Sequence, residues 1–220
     1  MSAIAARYDT LFLRWYVRSK LATDPLYDAV AQRLRGHLHP VVDVGCGIGL
    51  MAFHLRQQGF AQPITGIDHD AAKIAEASRA AYDGIRFTTG DARDTIPAGS
   101  SVLLLDVLHY FNAVEQARIL ENVAQAIPPG GVAIIRDAVR DGSWRYRATY
   151  AAEHFARGVQ WIRAEHLHFS TRERIVGAFE GFDAEVMPLW GVTPFNNYLF
   201  VFTKKPQHGG ADALVRPAAR

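Results

Sequence analysis

The stretch Val41 to Leu50, VVDVGCGIGL, limits what this chain can fold into more than any other part of it. Apolar β-branched residues lead in, and Gly45, Gly47 and Gly49 follow at alternate positions. This is the pattern of a buried strand breaking into a tight loop. Glycine reaches backbone angles closed to other residues, and its missing side chain lets a ligand approach the main-chain amides. MAFHLRQQ comes next, so those amides sit at the start of a helix. A plain strand-to-helix turn would not require three glycines, whose ordering costs conformational entropy. A small polar ligand is therefore the expected guest. Gly47, Gly49 and Ala52 also fit G-x-G-x-x-A, the pattern of a nicotinamide or flavin dinucleotide site.

Size and charge narrow the classes. With 220 residues, 49% of them hydrophobic, the chain fills one core and is short for two. A formal charge of +2 without a long Lys/Arg run argues against a dedicated nucleic-acid binder. The single Cys46 allows no internal disulfide and no thiolate metal cluster, which suits a reducing cytoplasm, and no metal is expected. The N-terminus shows no signal-peptide pattern, and the apolar run Val102 to Leu108 is short and carries Asp106. No membrane span is predicted.

Periodicity places the elements. One amphipathic helix is read over Ile4 to Leu21, carrying Phe12, Trp15, Tyr16 and Arg18, and Asp24-Pro25 opens a second through about Leu34. Phe12 and Trp15 are read at least as readily as core residues. Strands are predicted at Pro63 to Ile67, Ile85 to Thr88, Val102 to Leu105, Val132 to Arg136, Asp183 to Leu189 and Tyr198 to Lys204. Asn112 to Glu115 and Ser170 to Glu173 read as capping boxes. Residues 140–168 interleave Trp144, Tyr146, Tyr150, Phe155 and Trp161 with Arg145, Arg147, Arg157 and Arg163, and are read as a helical insertion. Base stacking, an aromatic substrate, an acidic carrier protein or simply a helical cap would each fit it. The tail 205–220 lacks periodicity and is expected to be disordered.

Asp43 followed by Gly45, Gly47 and Gly49, then Asp68 at a strand end and Gly90-Asp91-Ala92 after the next, together resemble the motifs of class I S-adenosylmethionine-dependent methyltransferases. The resemblance runs from Val41 to Lys204. It implies a Rossmann-like α/β fold: a seven-stranded, mostly parallel sheet with an antiparallel last strand, an N-terminal helical lid at 1–37 and a methyltransferase domain at 38–204. S-adenosylmethionine is the cofactor it implies. Asp43 would lie near its amino group, Asp68 would accept from the ribose hydroxyls, Asp91 and Ala92 would meet the adenine, and Gly45, Cys46, Gly47, Gly49, His69, Asp106 and Val107 would line the rest. YDTLFLRWYVRSKLATDPLY, LDVLHYF and TPFNN further resemble stand-alone methyltransferases of bacterial aryl polyene and related pigment assembly, a branch of secondary metabolism.

That subgroup implies a small phenolic acceptor methylated at carbon or oxygen, as a free acid or on an acyl carrier protein. A phenol titrates near 10, so a histidine would help remove its proton. His109, just past the fourth strand, is the first candidate base and His168 the second, with His166 and His154 behind them. For His109, catalysis and ordinary packing weigh about evenly. Tyr16, Arg18, Tyr110, Trp190 and Phe195 are the predicted acceptor contacts, with Thr193 and Asn196 beside them. The other readings left open are a cofactor-binding scaffold without transferase activity and a nicotinamide oxidoreductase.

Overall fold

A computed structural model describes residues 2–158 and 167–206. Trp161, Arg163 and His166 of the predicted insertion, the side chains of Phe155 and Arg157, and the tail from Gln207 lie outside what is described. In chain order the elements are α1 (Ser2–Ala5), α2 (Leu11–Thr23), α3 (Leu26–Arg33), β1 (Val41–Val44), α4 (Leu50–Gln57), β2 (Ile64–Asp68), α5 (Ala71–Arg79), β3 (Ile85–Thr89) and β4 (Ser101–Leu105). A 3-10 turn at Leu108–Tyr110 leads to α6 (Ala113–Ala126), β5 (Val132–Ala138), α7 (Trp144–Gly158), α8 (Arg172–Gly177), β6 (Phe182–Pro188) and β7 (Asn197–Lys204).

The strands form one sheet in the order β3-β2-β1-β4-β5-β7-β6, parallel except for β7, which runs against both β5 and β6. The expected architecture is the one found. From β1 the chain steps outward to β3, then restarts at β4 on the other side of β1. Such a reversal leaves a crevice at the carboxyl ends of the two central strands. Asp43 stands there, in register with Gly66 and Leu103.

Alternation along the strands divides the core into two layers, because successive side chains leave opposite faces of a sheet. Val41, Leu103, Ile134, Leu199 and Val201 join α1 to α4 on one face. Val42, Val44, Val102, Leu104, Ile135, Phe200 and Phe202 join α6 and α8 on the other. Asp43 shares its parity with Val41, so it faces the first layer. Within that layer the fully buried Phe53 of α4 meets Tyr8, Tyr82 and Phe87 at centroid distances of 6.2, 5.5 and 5.6 Å. Truncating such a residue to Ala costs about 3–5 kcal/mol.

The amino-terminal region departs from the sequence reading. The single helix expected over Ile4 to Leu21 is two, broken after Ala5 and restarted where the Thr10 hydroxyl accepts from the Leu13 N–H. The break lets the buried Tyr8 donate to the Ile48 carbonyl at 2.9 Å, tying this segment to the glycine loop. Phe12 and Trp15 stay 56% and 65% exposed, so they are not core residues. Asp24, the expected N-cap of the next helix, instead closes α2 and accepts from the Leu26 N–H, while Pro25 takes the N-cap position of α3 without a side-chain cap. The capping box at Asn112 and Glu115 forms. The one expected at Ser170 does not: Thr171 caps α8, and the buried Ser170 hydroxyl instead donates to Gln116 Oε1 at 2.5 Å.

Candidate active site

The glycine loop is held from three sides. Gly45 and Cys46 N–H donate to the Ile67 carbonyl, at 2.7 and 3.0 Å. The Gly47 N–H donates to Asp68 Oδ2 at 2.8 Å. Gly45 adopts φ +78°, and a Cβ there would lie 2.2 Å from Val107 Cγ2. A Cβ on Gly49, at φ +82°, would lie 2.5 Å from Phe87 Cζ. These two glycines answer to protein packing. Gly47 is different: at φ +56° its Cβ would meet nothing within 4 Å. Its main chain therefore borders open space, as a ligand cradle requires.

Asp43 is buried at 2% exposure, and its Oδ2 has no hydrogen-bond partner among the described residues. Burial, reinforced by the neighbouring Asp68 carboxylate, pushes its pKa up to about 7. An unpaired buried carboxylate is costly, and a cation placed against it would remove the cost. Asp68 is also buried; besides the Gly47 amide it accepts from the Asp70 N–H at 2.9 Å, so it holds the loop as well as facing the crevice. Asp91 follows β3 and is gripped by Arg93, whose Nε and main-chain N–H donate to Oδ1 at 2.9 and 2.8 Å. The Arg93 guanidinium holds the Asp91 carboxyl below its usual range and also reaches Glu115.

Across the crevice, the chain past β4 takes an unusual path. Asp106 sits at φ +58°, alone in the left-handed region among the described non-glycine residues. Arg136 of β5 fixes it there with Nε on Oδ1 at 2.8 Å and Nη2 on Oδ2. The same buried guanidinium reaches Asp24 Oδ1 at 2.5 Å from the α2–α3 junction. Burial works against charge on Arg136, but the two carboxylates outweigh it and hold its pKa above the ordinary value. One side chain thus joins the sheet edge to the N-terminal helices.

Beyond Asp106 the 3-10 turn presents His109, 5% exposed. Its Nδ1 lies 2.7 Å from Asp137 Oδ1, and its main-chain N–H donates to Oδ2 at 3.0 Å. The ring stacks on Phe169, with centroids 5.5 Å apart at 11°, and Tyr110 packs at 4.1 Å. Burial alone would lower the His109 pKa, but Asp137, helped by Glu153 and Asp106, outweighs it and the net shift is upward. An ionised carboxylate only accepts, so the proton of a neutral imidazole stays on Nδ1 and Nε2 carries the lone pair. Nε2 is buried and has no partner among the described residues. The turn is braced by Gln116, whose Nε2 donates to the carbonyls of Leu108, Phe111 and His168.

The structure brings Asp43, Gly45, Cys46, Gly47, Gly49 and Asp68 together at one edge, with Ala92 and Val107 packed beside Ile67 and Val44 in the second core layer. His69 lies next to Asp68, its side chain 79% exposed. Burial and nearby carboxylates push the Cys46 thiol well up, so it is no nucleophile. On the acceptor side, Tyr16 packs on the first core layer and shares electrostatic contact with Tyr8, Tyr27 and Tyr110. Arg18 is exposed on α2 and is not brought to the crevice. His168 acts through its main chain, donating to the His109 carbonyl at 2.8 Å, while its ring lies in the field of Arg140 and Arg174. His154 caps Tyr150 through its ring. Trp190 is 45% exposed under the Arg145 guanidinium, Thr193 accepts from Arg145, Phe195 is half-buried and Asn196 is buried.

Sequence reasoning missed Arg136, Asp137, Glu153 and Gln116. Two charged residues closing the apolar run VAII were a usable signal for the first two. The strand was expected to end at Arg136; it continues to Ala138 because both charges are paired and can stay buried. A cavity of about 310 Å³ lined by Arg35, His37, Gln58 and Gln62 lies at the opposite edge, by the amino ends of β1 and β2, apart from this site. Among the described residues no group of three or more His, Cys, Asp or Glu could hold a metal ion, and no helix is long and apolar enough to cross a membrane.

Comparison with known proteins agrees with this geometry. The chain is 34% identical over 100 residues to a eugenol O-methyltransferase of Sorghum bicolor, covering 45% of this chain and 26% of that one. It is 32% identical over 114 residues to a naringenin 7-O-methyltransferase of Oryza sativa subsp. japonica, covering 51% and 29%. The chain thus spans under a third of the length of these relatives. In fold it is similar to an O-methyltransferase family protein from Burkholderia thailandensis, with TM-score 0.67, 18% identity and coverage of 87% and 57%. It is also similar to magnesium protoporphyrin IX methyltransferase from Synechocystis, solved with S-adenosylhomocysteine bound, with TM-score 0.64, 19% identity and coverage of 90% and 89%. The family model described as a methyltransferase domain matches residues 16–189, and the chain belongs to that family.

Proposed function

We propose that this protein transfers a methyl group from S-adenosylmethionine to a hydroxyl of a small phenolic acceptor, with His109 as the base and Asp137 as the residue that orients it. The observation that carries the reading is the His109 ring itself: Nδ1 is tethered to a buried carboxylate, while Nε2 is desolvated, without a partner among the described residues and carried on a braced turn. The nicotinamide reading gives way to the family match.

The residues present fit the cofactor. The orphaned Asp43 Oδ2 would take its ammonium, the open face of Gly47 its main-chain approach, Asp68 its ribose hydroxyls, and Asp91 with Ala92 its adenine. The cofactor supplies an electrophilic methyl on a sulfonium, so alignment can account for most of the rate. His109 Nε2 would accept the phenol proton, and Asp137 would stabilise the imidazolium that results. Tyr16, Tyr110 and Phe195 would border the acceptor ring, with Trp190 at the mouth. O-methylation by the two plant relatives supports oxygen as the methylated atom.

Methyl-labelled S-adenosylmethionine with a panel of hydroxybenzoates, free and attached to a carrier protein, tests this. Label should appear on a phenolic oxygen. His109→Gln should lose turnover while keeping affinity for S-adenosylhomocysteine, and unchanged turnover would remove His109 from the mechanism.

A further inference from the structure

One half-buried carboxylate, Glu153 of α7, stands in the electrostatic surroundings of His109. Glu153 lies on α7 four residues after Thr149, which is buried and joined to Asn196, so it is on the inward side of the helix. Tyr146 and Tyr150, seven and three residues earlier, pack on Phe169 at 5.8 and 6.3 Å, and Phe169 is the ring on which His109 stacks. Glu153 stands in electrostatic contact with His109, Tyr110, Asp106 and Asp137. Among the described residues its Oε2 atom is buried without a partner, as His109 Nε2 is. A carboxylate oxygen and an imidazole nitrogen, each lacking a donor among the described residues, are two hydrogen-bond acceptors within one electrostatic neighbourhood. A buried acceptor left unsatisfied costs free energy, so the pair suits a ligand that brings two donors.

We propose that Glu153 is an acceptor-recognition residue: the ring that offers one hydroxyl to His109 offers a second to Glu153, which makes the substrate class a dihydroxyarene rather than a monophenol. This rests on the proposed role of the crevice as the phenol site. Two coordinated donors also restrict the ring to one orientation, so that a single hydroxyl faces the methyl donor. A site built to bond a substrate hydroxyl discriminates strongly against the analogue that lacks it, because the protein group is then left unpaired.

The test uses the full chain saturated with S-adenosylhomocysteine, with phenol and the 1,2-, 1,3- and 1,4-dihydroxybenzenes as probes in NMR titrations. At least one dihydroxybenzene should bind about tenfold more tightly than phenol. Glu153→Leu should bring that ratio close to one, and Glu153→Gln, which keeps an acceptor oxygen, should retain part of it. Glu153→Leu should also melt no lower than the wild type, since it removes a half-buried carboxylate whose Oε2 has no partner among the described residues. The proposal is overturned if no dihydroxybenzene is preferred, if nothing binds, or if Glu153→Leu weakens phenol and dihydroxybenzenes alike. Failure of the underlying reading looks different: His109→Gln would keep full turnover whatever Glu153 does.

Discussion

The two sides of the crevice are built differently. On the cofactor side, β1, the glycine loop, β2 and β3 place their groups through contacts between neighbouring elements; the Gly47 to Asp68 link spans 21 residues and the Tyr8 to Ile48 link 40. Its determinants are main-chain amides and glycine conformations. On the acceptor side the longer links run from 28 residues, for His109 to Asp137, through 52 for Gln116 to His168, to 112 for Arg136 to Asp24. Here side chains from the N-terminal helices, β4, β5, α6 and α7 meet only in the folded chain. The first side is laid down by a local rule about backbone and ligand, the second by tertiary packing around a pocket.

That contrast can be tested by asking which perturbations cross the crevice. The largest expected effect is on chemistry: Asp137→Asn should slow methyl transfer by about 10²–10⁴-fold, the range of general acid–base contributions. S-adenosylhomocysteine affinity, set on the other side, should be unaltered; a parallel loss of affinity would break the division.

Arg136→Met probes the joint between the halves. It leaves Asp106 and Asp24 without their shared cation, and should cost about 3–5 kcal/mol in denaturant unfolding, as for a broken buried ion pair. Replacing Asp24 and Arg136 together with apolar residues should recover part of the loss.

Asp43→Asn belongs to the cofactor side. It should weaken S-adenosylhomocysteine binding about tenfold or more, the value of a hydrogen bond to a charged group, and leave the acceptor side intact. Because the Asp43 pKa is pushed up to about 7 and an ammonium partner would lower it, binding should release a proton at about pH 6 and hardly any at about pH 8. Calorimetry in buffers of different ionisation enthalpy measures that difference, which Asp43→Asn should abolish.

The smallest effect concerns stability and pH. The folded-state pKa of His109 is raised above its unfolded value, so its pairing with Asp137 contributes fully below about 6.5 and is lost as pH rises through the folded value. The stability gap between wild type and His109→Gln should therefore narrow with rising pH in thermal melts.

These differences explain what could be read in advance. The sheet, its reversed last strand, the loop and the three acids at the ends of β1, β2 and β3 announce themselves through contiguous patterns such as DVGCGIG and TTGDA. His109 was legible because it follows an apolar strand directly. Glu153 was not: it has no neighbour in sequence that marks it, and Asp137, though signalled as a charge closing the run VAII, acquires its meaning only from the ring it faces. Ser170 shows the same limit in reverse, since its helix-start pattern yields to a tertiary bond with Gln116. Arg18 and Trp15 fall on the solvent side of α2 because the break before Thr10 sets that helix's rotation, which the periodicity alone did not reveal.

The pH dependence of kcat/KM for methyl transfer to a phenol tests the central claim most directly. If His109 removes the phenol proton, the rate should rise through one ionisation above histidine's ordinary value and then level off well below the phenol's own pKa near 10, and His109→Gln should abolish that plateau. A rate that climbs without a break until the phenol itself ionises, identical in wild type and His109→Gln, would contradict the account.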